Sequence, residues 1–278
     1  MDGRSQRARE MVSALEPCPI DRGTARELLA AIQTHVLDDP DLVNSYSALI
    51  GWHADAATVS CEAIRSLRLE LLLDRPESLV VAPRMASDET LLRSVARESA
   101  RPRSLLRGIA SVWVEADMAL DEQDALAGII ASALDIPRKR IRDTRSDPSQ
   151  PPPNVCLALR GGEKRGAEVA IEVRTHEQVA WARLWDSLVD ALARTADGPD
   201  GGHARVVGEA VDVIVAATSE ALTRAEEARL SARVWRGDIP DADQSALEEQ
   251  WAAARDDYER CMLIADRQLT ERHPALGD

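Results

Sequence analysis

Glu168-Val-Ala-Ile-Glu-Val-Arg-Thr-His-Glu-Gln-Val-Ala-Trp-Ala182 is the stretch where the period of the chain changes. Val169, Ile171 and Val173 alternate with their neighbours, which predicts a strand over Glu168 to Thr175 with one apolar face. From His176 the apolar residues fall at helical spacing, and a helix is expected to run to about Arg194. Trp181 and Trp185 stand four residues apart, on one helix face, and are expected to pack on a sheet.

Upstream, Val155 to Arg160 reads as a second strand, and the glycine-rich turn Gly161 to Gly166 joins it to the first as an antiparallel hairpin. Gly161-Gly162-Glu163-Lys164-Arg165-Gly166 shares only its composition with a phosphate-binding glycine loop, because the G-x-x-x-x-G-K-[ST] order is absent. Ser146 to Asn154, with Pro148 and the run Pro151-Pro152-Pro153, is expected to be a loop. Arg138 to Asp143 is a short basic, strand-like piece. Gly108 to Ala116 is a β-branched run carrying Ile109, Val112 and Val114. A helix opens at Asp121 and Glu122, carries an apolar face of Leu126, Ile129, Ile130 and Leu134, and stops at Pro137.

The flanks read as helical. Thr24 to Leu37, Leu42 to about Leu73 and Ser87 to about Ser99 precede the strands. Ala204 to Val234 and Asp243 to Thr270 follow them, after a Gly/Asp/Pro-rich linker at Asp197 to Gly202. The expected class is α+β: a mixed or antiparallel central sheet of about four to five strands, packed by helices, with helical N- and C-terminal flanks. The expected organisation is an N-terminal helical region over 1–83, a strand-containing domain over 84–196, and a C-terminal helix pair over 203–278.

The chain has 278 residues, with 34 basic against 48 acidic ones and a net charge of -14. That balance argues against a protein that coats DNA, which needs excess basic charge to neutralise phosphates. A small basic pocket in an acidic shell remains compatible with it. Lysines are scarce, at Lys139 and Lys164, so the positive charge is nearly all arginine, and phenylalanine is absent. No run reaches the length of about 18 apolar residues that spans a membrane. The charged N-terminus has no signal-peptide pattern, so the expected location is the cytoplasm. Cys18, Cys61, Cys156 and Cys261 form no metal-ligand spacing. His53, His176 and His203 have no catalytic-triad partners and are expected at the surface or in caps. Ser99 and Ser111 sit in no nucleophile elbow. The acidic closing helix, with Glu248, Glu249, Asp256, Asp257 and Glu259, reads as a solvated face. Its Leu247, Trp251, Tyr258, Met262 and Leu269 offer a seam for a protein partner or a second copy.

Three segments in order carry a family resemblance: Gly108 to Leu126, Ile141-Arg-Asp-Thr-Arg-Ser-Asp-Pro148, and Val169 to Ala182. Their order, spacing and strand–helix context resemble the synthetase domain of the RelA/SpoT family, over about Arg84 to Arg194. That family runs a D-I-A-G-V-R-V strand, then K-D-x-R-x-x-P, then G-Y-R-[SA]-[VL]-H, then V-E-[VI]-Q-[VI]-R-T-x-x-Q-x-x-W-A. The resemblance implies transfer of pyrophosphate from ATP to the 3′-hydroxyl of GDP or GTP with magnesium. Carboxylates would hold the metal and help deprotonate the ribose, basic groups would grip phosphates, and a tyrosine would stack on guanine.

Matched residue by residue, the chemistry has gaps. The family's metal-binding aspartate falls on Gly108 and its strand arginine on Trp113. Its glutamate falls on Ala170. The stacking tyrosine, the arginine and the histidine of the G-Y-R segment fall on Pro152, Pro153 and Cys156. An alanine methyl cannot bind a metal or take a proton. The basic lattice persists: the resemblance assigns phosphate or nucleotide binding to Arg84, Arg93, Arg97, Arg142, Arg145, Arg174 and Gln178. Glu172 and Glu115 are the carboxylates left to rescue catalysis, although Glu172 lies roughly 6.6 Å along the strand from Ala170 at about 3.3 Å per residue. No metal ligand is assigned, and magnesium is expected only if the chain is active.

Three readings follow: a catalytically impaired, nucleotide-binding regulator; an active ATP-dependent pyrophosphotransferase making (p)ppGpp or a related nucleotide; and a ligand-free protein-interaction scaffold. The expected ligand is an ATP-, GDP- or GTP-like nucleotide, and a protein partner or a second copy would use the C-terminal helices.

Overall fold

The computed structural model describes residues 3–34, 38–86, 109–145, 154–160, 168–196, 201–236 and 238–272. The helix expected over Ser87 to Ser99, the loop over Ser146 to Pro153 and the turn over Gly161 to Gly166 lie outside them. The described elements run α1 (Gly3–Ser13), α2 (Arg22–Gln33), α3 (Pro40–Arg65), β1 (Val80–Met85), β2 (Ala110–Ala116), α4 (Leu120–Ala133), β3 (Ile141–Asp143), β4 (Val155–Arg160), β5 (Glu168–Thr175), α5 (His176–Ala196), α6 (Gly201–Val234) and α7 (Asp241–Arg272). The class is α+β. One open, mixed sheet of five strands has the order β1-β2-β5-β4-β3.

The alternation at β5 is realised: Val169, Ile171 and Val173 are buried, while Ala170 and Glu172 are half-buried. Burying each such aliphatic side chain contributes roughly 1.5–3 kcal/mol. β2 repeats the pattern, with Ala110, Val112, Val114 and Ala116 buried and Ser111, Trp113 and Glu115 half-buried. β4 and β5 form the expected antiparallel hairpin, with Val155 opposite Val173 and Ala158 opposite Ala170.

Three elements differ from the sequence reading. β1 was not anticipated, because Pro83 cannot donate to a ladder. It is tolerated because β1 is an edge strand, paired only with β2. α1 was not anticipated either, having little apolar stripe beyond Ala8, Met11 and Val12. The helix expected to reach Leu73 ends at Arg65. Arg68 takes a left-handed φ of 59°, and short 3₁₀ turns follow at Leu69–Leu72 and Pro76–Ser78. α3 starts as physics favours: the Asp39 carboxylate accepts from the Asp41 amide at 2.9 Å, and Pro40 occupies the first turn.

The described residues divide into two compact units. One comprises Met1–Ala116, Asp124–Arg142 and Val155–Val173; the other comprises Asp117–Gln123, Asp143–Asn154 and Arg174–Asp278. In the first unit α3 packs on β1 and β2 and carries α1 and α2. The Trp52 indole donates to the Glu16 carbonyl at 2.7 Å, and Arg65 Nη2 donates to the Val81 carbonyl at 2.6 Å. In the second unit Trp181, Leu184 and Leu188 of α5 share one core with Ala221, Leu222 and Ala225 of α6 and Tyr258 of α7. Trp181 therefore sits inside this helical core, with Trp185 packed against it. Tyr258 and Met262, offered as part of an outward seam, pack into this same core.

His53 is not at the surface. It is fully buried on α3, edge-on to Trp52 at 4.8 Å, and neither ring nitrogen has a hydrogen-bond partner among the described residues. Burial lowers its pKa from 6.5 to about 4. Unfolded, the ring takes its proton near pH 6.5; folded, it resists until about pH 4. This contribution is complete above pH 6.5 and is lost as the pH falls toward 4. We expect the stability difference between wild type and His53→Leu to shift by about 3 kcal/mol in favour of the variant between pH 7 and 4. Urea unfolding at stepped pH measures it; a pH-independent difference would contradict this account.

Candidate functional site

The segment Arg174-Thr-His-Glu-Gln178 closes β5 and opens α5, and its hydrogen bonds form a capping box. The Gln178 amide donates to Thr175 Oγ1 at 3.1 Å, and the Thr175 amide donates to Gln178 Oε1 at 3.3 Å. Two donors at the start of the helix are thereby satisfied, and the carboxamide of Gln178 is oriented. Its Nε2 must then point away from the Thr175 amide. It donates to Glu226 Oε1 on α6 at 2.7 Å and to Gln123 Oε1 on α4 at 3.3 Å. Gln123 returns a bond from Nε2 to Gln178 Oε1 at 2.8 Å, and the Thr175 hydroxyl donates to Glu226 Oε1 at 3.0 Å. Gln123, Thr175 and Gln178 are essentially inaccessible to solvent.

Arg145 joins this lattice from outside. Nη1 donates to Gln123 Oε1 at 3.2 Å, while Nε and Nη2 grip both oxygens of Asp143 at 2.9 and 2.6 Å. The side-on guanidinium holds the Asp143 carboxyl below its usual range. Glu226 is shifted the other way. Burial pushes its pKa from 4.5 up to about 7, and Glu177 adds to the rise. The bonds from Thr175 and Gln178, and the charge of Arg145, oppose it.

A second ion cluster lies beside it in the same unit. Arg229 pairs with Asp117 at 2.6 Å, has Glu177 at 3.8 Å, and lies over Trp251 with its guanidinium carbon 5.4 Å from the ring centre. Arg233 pairs with Asp121 and has Glu122 at 3.6 Å. The cleft lined by Glu177, Glu226, Arg229 and Trp251 encloses about 10 Å³. That is room for about one water, not for a nucleotide.

In the sheet-bearing unit, Arg84 of β1 stacks its guanidinium 4.1 Å from the ring centre of Trp113, where the resemblance would place an arginine. Across β1 and β2, Ala82 faces Trp113, Arg84 faces Ser111 and Val80 faces Glu115. Across the hairpin, Glu172 faces Cys156. Arg142 is exposed on β3. Arg93, Arg97 and Gly108 lie outside the described residues. Magnesium, which the resemblance implies, does not fit what is present: Ala170 offers no oxygen, and among the described residues no three His, Cys, Asp or Glu side chains converge to hold a metal ion.

The sequence-predicted residues are thus sorted into kinds. Gln178 and Arg145 belong, with Thr175, to a buried or half-buried internal lattice, and Arg174, expected to meet a phosphate, is buried at the end of β5. Arg84 and Arg142 face solvent. Gln123 and Glu226, which complete the lattice, were missed. The T-x-x-Q capping signal at Thr175 to Gln178 could have been read, whereas nothing marks Glu226 within the charged α6 sequence.

No protein-family model matches the chain. It is 31% identical over 176 residues to Uncharacterized protein Rv1366 of Mycobacterium tuberculosis (strain ATCC 25618 / H37Rv). The same figures hold for Uncharacterized protein Mb1401 of Mycobacterium bovis (strain ATCC BAA-935 / AF2122/97). The match covers 63% of this chain and 61% of each relative, so the chain spans less than two thirds of the length of the relatives it matches.

The sign of the Glu226 shift gives a measurable consequence. Unfolded, it ionises near pH 4.5; folded, near 7. Its contribution is full below pH 4.5 and is lost as the pH rises through 7. Glu226→Gln, which keeps an acceptor but no charge, should remove that slope and be the more stable form at pH 8. Thermal unfolding from pH 4.5 to 8.5 tests it; identical profiles for both proteins would refute the assignment.

Proposed function

We propose that the chain is a nucleotide-binding regulatory protein on an alarmone-synthetase-like frame, without pyrophosphate transfer. The supporting observation is Ala170 on β5, a half-buried methyl at the position where the resemblance requires a carboxylate. Glu172, two residues along on the same strand face, would reach the same point only with the substrates displaced. Deprotonating a ribose hydroxyl requires a base within hydrogen-bond reach, and an alanine supplies none. The basic side chains need no such precision to hold a phosphate by charge. Arg84 and Arg142 are accessible for that role, and Arg145 is held in a fixed orientation beside Asp143.

On this reading, incubation with ATP, magnesium and GDP, GTP or GMP yields no 3′-pyrophosphorylated product by thin-layer chromatography. Calorimetry with ATP shows saturable binding, weakened about tenfold, some 1.4 kcal/mol, by Arg84→Ala. Product at catalytic rates would replace this reading with an active pyrophosphotransferase. Absence of binding to every nucleotide would replace it with a ligand-free scaffold.

A further inference from the structure

The turn Arg138–Arg140 is a run of three consecutive cations, followed at one remove by Arg142. Among the described residues, none of these four side chains has an ion pair or a hydrogen bond. The chain carries 14 more acidic than basic residues, and its other arginines readily find carboxylates, as Arg145, Arg224, Arg229 and Arg233 do. Neighbouring like charges within a Debye length of about 8 Å repel one another. A cation cluster with no ion partner among the described residues, in an acidic protein, is a local positive field that can meet an anion.

The cluster borders a groove. The end of α1, the turn after α4 and strand β4 enclose about 860 Å³, within the range of small-molecule sites. Val12, Leu15, Ile136 and Leu159 supply apolar walls, and Arg9 and Arg140 supply charge. Arg9 is fixed in place: Nη2 donates to the Ser132 carbonyl at 3.0 Å and Nε to the Ala133 carbonyl at 3.4 Å, at the C-terminal end of α4. Asp135 also lines the groove. It holds the left-handed position, φ 53°, that turns the chain out of α4 and lets the Ile136 amide bond back to the Ala131 carbonyl at 2.8 Å. The groove thus pairs an apolar wall with an arginine at its edge and a basic turn at its mouth.

We propose that this groove binds a small organic anion, a phosphate or carboxylate carried on an apolar or aromatic body. The apolar part lies against Val12, Leu15 and Leu159, and the anion meets Arg140 and the turn Arg138–Arg140. None of the groove's lining residues belongs to the nucleotide motifs above, although Arg142 of those motifs stands beside the basic turn; Arg84→Ala, which leaves this groove intact, separates failure of that reading from failure of this one.

The probe is 8-anilinonaphthalene-1-sulfonate, titrated into the full chain at low salt and followed by fluorescence. Saturable one-to-one binding is expected, weakening with added salt. The double variant Arg138→Glu/Arg140→Glu should weaken it at least about tenfold. Val12→Glu, at the half-buried wall, should do the same, with circular dichroism unchanged for both. The uncharged N-phenyl-1-naphthylamine should bind far more weakly. ATP and dodecyl phosphate as competitors distinguish a nucleoside phosphate from an acyl phosphate source; displacement by either supports the site. Unchanged dye affinity in the charge-reversed variant, equal binding of the neutral dye, or displacement by neither competitor would overturn it.

Discussion

Gln178 has four hydrogen-bonding sites in its side chain and is fully buried, and satisfying them inside the protein constrains the second unit. Its carbonyl oxygen is claimed by the Thr175 amide, which needs an acceptor because it opens a helix. Flipping the carboxamide would bring two donors face to face. With the oxygen fixed, the nitrogen needs acceptors on its other side, and Gln123 and Glu226 supply them. Gln123 is then oriented in turn, its oxygen toward Arg145. A helix-capping requirement thus propagates through two amides to a surface guanidinium. The T-x-x-Q spacing that resembles a nucleotide-binding motif has a complete explanation in helix-start chemistry, so here the spacing alone is no evidence of a ligand.

Legibility in the sequence followed the same division between local and distant causes. β2, β4 and β5 could be read because one buried face imposes a period of two, as at Val169, Ile171 and Val173. α3 was read too long because the apolar spacing continues through Leu67, Leu69 and Leu72, while the break is a single backbone angle at Arg68. β1 escaped because its proline argues against a strand unless the strand is known to be an edge, and edge position is a property of the finished sheet. Glu226 escaped for a similar reason. In the sequence it is one of two adjacent glutamates in a charged helix, and its burial is decided by the side chains of Thr175 and Gln178 some fifty residues earlier. His53 shows the converse error: a histidine between Trp52 and Ala54 was assigned to the surface by type, although its neighbours on α3 at Leu49, Ala56 and Ala57 are all buried.

Charge is handled differently by different parts of the chain. Along α6, Arg224, Arg229 and Arg233 meet Asp257, Asp117 and Asp121, so much of the acidic excess there is locally answered. The more exposed of these, Arg224 with Asp257 and Arg233 with Asp121, contribute roughly 0–1 kcal/mol each, so they do not hold the helices together. The apolar core of Trp181, Leu222 and Tyr258 does. The pairs instead spare the long helices from self-repulsion.

The segment Arg142-Asp-Thr-Arg145 shows both regimes within four residues. Arg145 spends its guanidinium on Asp143 and Gln123, and meeting an external phosphate would mean exchanging bonds it already makes. Arg142 faces solvent on a three-residue strand and has no such bonds among the described residues to give up. The cost of binding an anion therefore differs sharply between two arginines of one motif. Arg145 sets the local geometry, whereas Arg142, with the cations just before it, would give up no such bond on meeting a solute. A motif match that counts both as equivalent ligands overlooks that difference, which becomes visible only when each donor is followed to its acceptor.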